Sequence, residues 1–114
     1  MSECLFCAIA SGDIPADIVL SDDDVVAFRD ITPQAPVHVL VIPRAHHANV
    51  ADLATADPAL TGALLRAAGA VAAQEGIADS GYRIVTNTGE GAGQSVHHIH
   101  FHVLGGRDLA WPPG

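Results

Sequence analysis

Near its C-terminal end the chain reads His98-Ile99-His100-Phe101-His102-Val103-Leu104, a run in which imidazole and apolar side chains alternate. Successive side chains of a β-strand point to opposite faces, so the alternation predicts a strand over 96–104. Its histidines would share one face, and its apolar residues would enter the core. Three imidazoles in register are hard to explain as a solvated strand face alone. The run therefore predicts a chemical role for them.

Two kinds of chemistry suit such a face. In a three-histidine metal site, a spacing of ~7 Å between alternate side chains makes it difficult for all three to reach one ion, although two can. In nucleophilic catalysis, a neutral imidazole attacks an activated phosphoryl group and forms an N–P intermediate that water then cleaves. The preceding run Gly91-Ala92-Gly93-Gln94-Ser95 offers backbone N–H groups, an amide and a hydroxyl to phosphate oxygens. Together the two runs favour phosphorus chemistry.

The length and charge of the chain narrow its class. The 114 residues, 49% of them hydrophobic, predict one domain over 1–114 with its own core. The net charge of −8 argues against nucleic-acid and anionic-membrane partners, since both need many basic side chains. All 5 basic residues are arginine, so a phosphate would be held by imidazoles and backbone N–H groups. With no targeting segment or membrane span predicted, we expect a cytoplasmic protein whose Cys4 and Cys7 are reduced thiols, either redox-active or metal-binding.

The remaining pattern predicts an α+β domain. Asp57-Pro58 begins a long helix that ends at Gln74-Glu75, before Gly76. Its apolar residues lie on nearly every face, which indicates cover on more than one side, including cover by a second subunit. A short N-terminal helix over 4–10 would begin at Ser2 and close at Ser11-Gly12. The five expected strands are 18–20 and 25–28, paired as a hairpin, the buried run 37–42, and then 82–86 and 96–104.

The run at 98–104 matches the motif of the histidine triad family, and the chain resembles that family over nearly its whole length. The Trp111-Pro112-Pro113-Gly114 ending is similar to the Hint branch, the purine nucleoside phosphoramidases, more than to the dinucleoside polyphosphate hydrolases. The resemblance implies a five-stranded antiparallel sheet with one long helix, a short N-terminal helix and a twofold dimer. The further matching residues are Phe28-Arg29-Asp30-Ile31, Gln34-Ala35-Pro36-Val37-His38, Val41-Ile42-Pro43, Asn87, Gly93-Gln94-Ser95-Val96 and Leu104-Gly105-Gly106-Arg107.

The same resemblance implies roles for individual residues. His100 would be the nucleophile, His102 would contact the α-phosphate, and His38 would lie beside the nucleophile and help set its protonation. Ser95 would donate toward the leaving group. Phe6, Phe28 and Ile31 would enclose the purine, and Asp30 would bind the ribose. Asn87, Gly93 and Gln94 would lie around the phosphate. Trp111 would reach across the dimer interface and help choose leaving groups.

A metal site is the other implication. Related bacterial proteins hold zinc with a Cys pair and two histidines, so Cys4, Cys7, His46 and His98 would form a structural Cys₂His₂ site. His47 is the neighbouring candidate, but the spacing from Ile42-Pro43-Arg44 favours His46. A reduced thiol pair without metal is the alternative, while a thioredoxin-type redox role lacks its strand-to-helix context.

The resulting hypothesis is hydrolysis of the P–N bond in purine nucleoside phosphoramidates through a nucleotidyl-histidine intermediate. The alternatives are a dinucleoside polyphosphate hydrolase, a non-catalytic nucleotide-binding module, and a cupin-type metal enzyme. A cupin needs a glutamate downstream of its histidines, and none follows His102. His97 stands where Hint proteins commonly have an aromatic residue, and we assign it no chemical role. The sequence does not indicate the leaving group or distinguish adenine from guanine.

Overall fold

A computed structural model describes residues 4–114 and places one antiparallel sheet at the centre of the chain. The five strands lie in the order β1-β2-β3-β5-β4, which confirms the expected α+β fold. Three helices accompany the sheet. The elements are α1 (Leu5–Ser11), β1 (Ile18–Ser21), β2 (Val25–Arg29), β3 (Val37–Pro43), α2 (Val50–Ala56), α3 (Pro58–Gln74), β4 (Tyr82–Val85) and β5 (Phe101–Gly105).

The helix α1 begins at a cysteine. The Cys4 thiol accepts the Cys7 N–H at 3.4 Å and so caps the first turn. Gly12 ends the helix with φ +86°, a left-handed conformation that suits glycine, and this confirms the expected close. The expected start at Ser2 lies outside the described residues.

The helix α3 matches its prediction at both ends. Asp57 caps it by accepting the Leu60 N–H at 3.0 Å, and Pro58 occupies its first turn. The helix α2 was not expected, because its 7 residues contain a single fully buried apolar anchor, Leu53, and show no helical periodicity. No helix within 4–114 is long and apolar enough to cross a membrane.

The two faces of the sheet have different partners. One face packs against α3 through residues such as Val39, Leu64 and Val71. The other face packs against α1, where Phe6 contacts a cluster that includes Phe28 and Leu40. The active-site histidines lie on this second side, between α1 and the sheet.

The last strand differs from its prediction. It begins at Phe101, and the chain bends over 96–98 instead of continuing the ladder. Two contacts account for the bend: the Ile99 N–H donates to the His47 carbonyl at 2.7 Å, and the His98 ring hydrogen-bonds the Pro43 carbonyl at 2.8 Å. The alternation of sides nevertheless holds, since Ile99, Phe101 and Val103 enter the α3-side core as expected.

Two glycines provide a matched test of this packing. A Cβ at Gly105 in β5 would lie 2.6 Å from Ile77 Cδ1 and 3.2 Å from the Gly81 carbonyl oxygen. We expect Gly105→Ala to lower the free energy of unfolding by about 1–3 kcal/mol. Gly69 in α3 has open space around its Cβ position, so Gly69→Ala should raise the free energy of unfolding by about 0.5–1 kcal/mol. Urea denaturation measures both, and shifts of the same sign would contradict the packing described.

Candidate active site

His100 is buried, with 5% of its surface exposed, and one hydrogen bond sets its tautomer. Its Nδ1 is 2.9 Å from the His98 carbonyl oxygen. A carbonyl can only accept, so Nδ1 carries the proton of the neutral ring and Nε2 keeps its lone pair. The Phe6 ring stands edge-on to His100, with centroids 5.0 Å apart, and limits rotation of the imidazole. The result is an oriented nitrogen lone pair.

A second hydrogen-bond chain sets the opposite tautomer on His102. The Gln34 N–H donates to His38 Nδ1 at 3.0 Å, so the proton of neutral His38 lies on Nε2. That Nε2–H donates to His102 Nδ1 at 2.8 Å, which leaves the proton of neutral His102 on its Nε2. His102 therefore offers a donor at Nε2, and its ring centroid lies 5.1 Å from that of His100. The expected role of His38, to help set the protonation of His100, stays a prediction, and the hydrogen bond of its ring is to His102.

Burial favours the neutral forms of His38 and His102 by lowering the pKa of each ring. It lowers the pKa of His102 to about 4, with contributions from the neighbouring His100 and His38. Burial also lowers the pKa of His38, although the Asp30 carboxylate, 3.5 Å from His38 Nε2, partly opposes this effect. Neutral rings are what the two tautomer assignments require.

A largely apolar cavity of about 540 Å³ is lined by Phe6, the ring that also contacts His100, and by no histidine of the described residues. Its volume is typical of a small-molecule site. The predicted residues Phe6, Phe28, Asp30, Ile31 and Ser95 all line it. The sequence reasoning missed the further lining residues Leu5, Ile9, Ile14, Pro15, Ala16, Asp17, Arg29, Leu40 and Val96.

The glycine-rich loop is held by a buried amide. Gln94 Oε1 accepts the Gly89 N–H at 2.9 Å, while Nε2 donates to the Ala48 carbonyl at 2.7 Å and to the Val96 carbonyl at 3.1 Å. The Gln94 side chain, expected at the phosphate, is therefore committed to shaping the loop. Gly93 closes the turn at 90–92 with φ +83°, and Asn87 lies half-buried between β4 and the loop.

Trp111 and His97 lie elsewhere. Trp111 is 81% exposed, with the Arg83 guanidinium 6.0 Å from its ring centroid, and it does not line the cavity of its own chain. His97 is exposed on the loop surface, in keeping with the absence of an assigned role. A contribution of Trp111 to this site would have to come from another subunit.

Two thiols and two imidazoles converge on the other side of α1. His98 Nδ1 lies 3.4 Å from Cys4 Sγ, 3.5 Å from Cys7 Sγ and 3.2 Å from His46 Nδ1. His46 Nδ1 lies 3.4 Å from Cys7 Sγ, and the cluster does not include His47. In a tetrahedral Cys₂His₂ site, S and N ligand atoms would be about 3.5 Å apart and the two N atoms about 3.3 Å apart. The four predicted ligands are thus spaced as a metal ion requires.

A second group of potential ligands, Asp30, His38 and His102, does not suit a metal. These atoms also lie within 4.8 Å of one another. However, His38 Nδ1 already accepts the Gln34 N–H, and His38 Nε2 must keep its proton to donate to His102. This group is a hydrogen-bond relay.

Comparison with known proteins gives the class. The family model described as the HIT domain matches residues 11–109. A HIT family hydrolase from Legionella pneumophila has the same structure, with a TM-score of 0.95 and 50% identity over 98% of this chain and 100% of that one. These similarities place the chain among the HIT family hydrolases.

Two curated relatives narrow the assignment. The purine nucleoside phosphoramidase of Escherichia coli K12 is 48% identical over 94% of this chain and 90% of its own length. The adenylylsulfatase HINT1 of Arabidopsis thaliana is 48% identical over 99% of this chain and 78% of its own. The chain belongs to the histidine triad (HIT) family and is a nucleotide hydrolase of that family.

The neutral state of His102 predicts a loss of stability in acid. Below the ordinary histidine pKa of 6.5 the unfolded chain takes up a proton that folded His102 refuses until about pH 4. The contribution of neutral His102 to the free energy of unfolding is therefore complete above pH 6.5 and is lost as the pH falls toward 4. Urea denaturation at a series of pH values should show a shallower loss for His102→Gln than for the wild type. His97→Gln, which removes an exposed imidazole, should keep the wild-type slope, and identical slopes for all three proteins would contradict the assignment.

Proposed function

We propose that the protein hydrolyses the P–N bond of purine nucleoside phosphoramidates, of the type in which AMP is joined to an amine. The observation that carries the proposal is the tether from His100 Nδ1 to the His98 carbonyl, which leaves Nε2 unprotonated. The His100 ring packs against Phe6, which lines a cavity of about 540 Å³. The Escherichia coli relative named purine nucleoside phosphoramidase supports the same substrate class.

The reaction would proceed in two displacements at phosphorus. In the first, the Nε2 lone pair of His100 forms an N–P bond while the P–N bond to the amine breaks. The leaving nitrogen takes a proton from the Ser95 hydroxyl, which regains one from solvent water. In the second, water attacks phosphorus, the His100–P bond breaks, and the water proton passes to solvent. The Nδ1–H to carbonyl bond stabilises the cationic phosphoimidazole between the two steps. His102 Nε2–H donates to a phosphate oxygen throughout.

The cavity would hold the nucleoside. Phe6, Phe28 and Ile31 would enclose the purine, and Asp30 would accept from the ribose hydroxyls. One Asp30 oxygen accepts the Thr32 N–H at 2.8 Å, while the other faces the histidines, so acceptor capacity remains on the cavity side. Backbone N–H groups near Gly93 and the Asn87 amide would contact the phosphate.

We assign zinc to the thiol–imidazole cluster. Cys4, Cys7, His46 and His98 would hold it as a structural ion whose charge stabilises the two thiolates and ties α1 to the loop before β5. The site also braces the nucleophile, because His98 provides both a metal ligand and the carbonyl that tethers His100. Reduced thiols suit the cytoplasm, where we place the protein.

We also propose a twofold homodimer. The edge strand β4 exposes Tyr82 and Ile84, and α3 exposes Leu65. A second copy would cover these apolar side chains and would bring its Trp111 to the leaving-group side of this site.

Replacing the nucleophile tests the mechanism. His100→Ala should slow hydrolysis of a purine nucleoside 5′-phosphoramidate by at least about 10³-fold, because no other nitrogen lone pair is aimed at the phosphate. Affinity for the nucleoside monophosphate should change little, since the cavity walls remain. His97→Ala is the matched control and should retain wild-type turnover. Turnover by His100→Ala within about tenfold of wild type would contradict a covalent intermediate.

Metal analysis tests the assignment of zinc to the thiol–imidazole cluster. Protein prepared without chelators or nickel resin should contain about one zinc per chain. Cys7→Ser should lower both the zinc content and the thermal midpoint, because it removes one ligand of the set. His47→Ala is the control and should leave the zinc content unchanged. Less than about a tenth of an equivalent of zinc in the wild type would contradict the assignment.

A further inference from the structure

The proposed nucleophile, His100, lies just outside the regular part of the sheet. The pairing of β5 with β3 ends at Phe101, opposite Val41, and its pairing with β4 ends at His102, opposite Val85. His100 therefore precedes the ladder on both sides. Its backbone carbonyl must find a partner elsewhere, because buried carbonyl groups are almost always hydrogen-bonded.

That partner is the hydroxyl of Thr86. Thr86 directly follows β4, and its Oγ1 donates to the His100 carbonyl oxygen at 2.9 Å. A carbonyl can only accept, so the hydroxyl proton must lie between the two oxygens. The contact is half-buried. A threonine side chain thus takes the place of the next rung of the β4–β5 ladder.

The segment 98–100 is tied to the sheet at two points. On one side the Ile99 N–H donates to the carbonyl of His47, in the chain after β3, at 2.7 Å. On the other side Thr86 holds the His100 carbonyl. The bond from His100 Nδ1 to the His98 carbonyl lies within the segment, so it orients the ring only relative to the segment itself. The direction of Nε2 relative to the rest of the sheet therefore depends on the two ties.

The Thr86 tie also bears on the phosphate side of the site. In the register that pairs Val85 with His102, Asn87 would stand opposite His100. Asn87 is the residue whose amide contacts the phosphate in the proposed function. Thr86 lies between the last paired residue of β4 and Asn87, so its hydroxyl keeps the two chains together where the ladder has ended.

We propose that Thr86 is a positioning residue whose hydroxyl fixes the backbone of His100 against the end of β4 and so aims the nucleophile. The inference rests on the proposed hydrolysis, in which His100 Nε2 attacks phosphorus. That attack needs the lone pair in line with the breaking P–N bond, so a small rotation of the segment slows the first displacement. Neither Thr86 nor His100 lines the cavity that would hold the nucleoside, so nucleoside binding does not depend on the tie.

The test removes the hydroxyl alone. Thr86→Val keeps a branched side chain, and kcat for a purine nucleoside phosphoramidate should fall by roughly tenfold while KM stays within about twofold of wild type. Thr86→Ser keeps the hydroxyl and should retain kcat within about threefold of wild type. Thr88→Val is the matched control, because it removes an exposed hydroxyl from the same loop, and it should leave kcat unchanged.

A merely structural role of Thr86 predicts a different result. It would lower the urea midpoint of Thr86→Val, while the folded fraction kept its wild-type turnover. Turnover is therefore expressed per chain that binds AMP, counted by calorimetric titration. Wild-type kcat in Thr86→Val, or equal losses of kcat in Thr86→Val and Thr86→Ser, would overturn the inference.

A measurement without turnover separates this inference from the proposed function. NMR relaxation dispersion of the His100 ring detects reorientation on the microsecond to millisecond timescale. The ring should show no such motion in the wild type and in Thr86→Ser, and should show it in Thr86→Val. Absence of hydrolysis by the wild type would contradict the proposed function, while the ring dynamics would still decide the role of Thr86. A His100 ring as rigid in Thr86→Val as in the wild type would contradict that role.

Discussion

The hydrogen bond from His100 Nδ1–H to the His98 carbonyl is the constraint on which the site depends. Without it the ring could place its proton on either nitrogen and rotate about its side-chain bonds. With it, Nε2 keeps a lone pair and one direction. His98 can hold its carbonyl there because its ring is bound on both sides, at Nε2 by the Pro43 carbonyl and at Nδ1 by the thiol cluster. A single backbone oxygen therefore links the metal-type site to the nucleophile.

The short helix α1 contributes to both sites. Cys4 and Cys7 approach His98 from one side of the helix, while Phe6 between them packs against His100 and Phe28 from the other. Phe6 and the two cysteines belong to one helical turn, so their side chains project from different faces of the helix. Contacts that hold α1 at the cluster therefore also hold Phe6 in the wall of the cavity.

Much of this could be predicted from local pattern. The caps at Asp57 and Gly12 and the five strands follow from rules that act within a few residues, and the four metal-type ligands followed from the family resemblance. The missed features involve contacts between distant segments. The bend over 96–98 depends on the carbonyls of Pro43 and His47, more than 50 residues away. Every residue has a backbone carbonyl, so the side-chain pattern does not indicate which of them will accept these hydrogen bonds. The hydrogen-bond partner of His38 is His102 on β5, and only the strand order of the folded sheet makes β3 and β5 neighbours.

The sequence by itself determined the kind of chemistry, because three alternating histidines, a glycine-rich loop and a lysine-free composition leave imidazole and backbone N–H groups as the means of handling phosphate. Only the tertiary structure decided which nitrogen of each ring carries the proton, because a tautomer is set by the hydrogen-bond partner that folding brings to it. The tautomers of His38 and His102 are not encoded in neighbouring residues, since the two rings lie on strands that meet only when the sheet assembles.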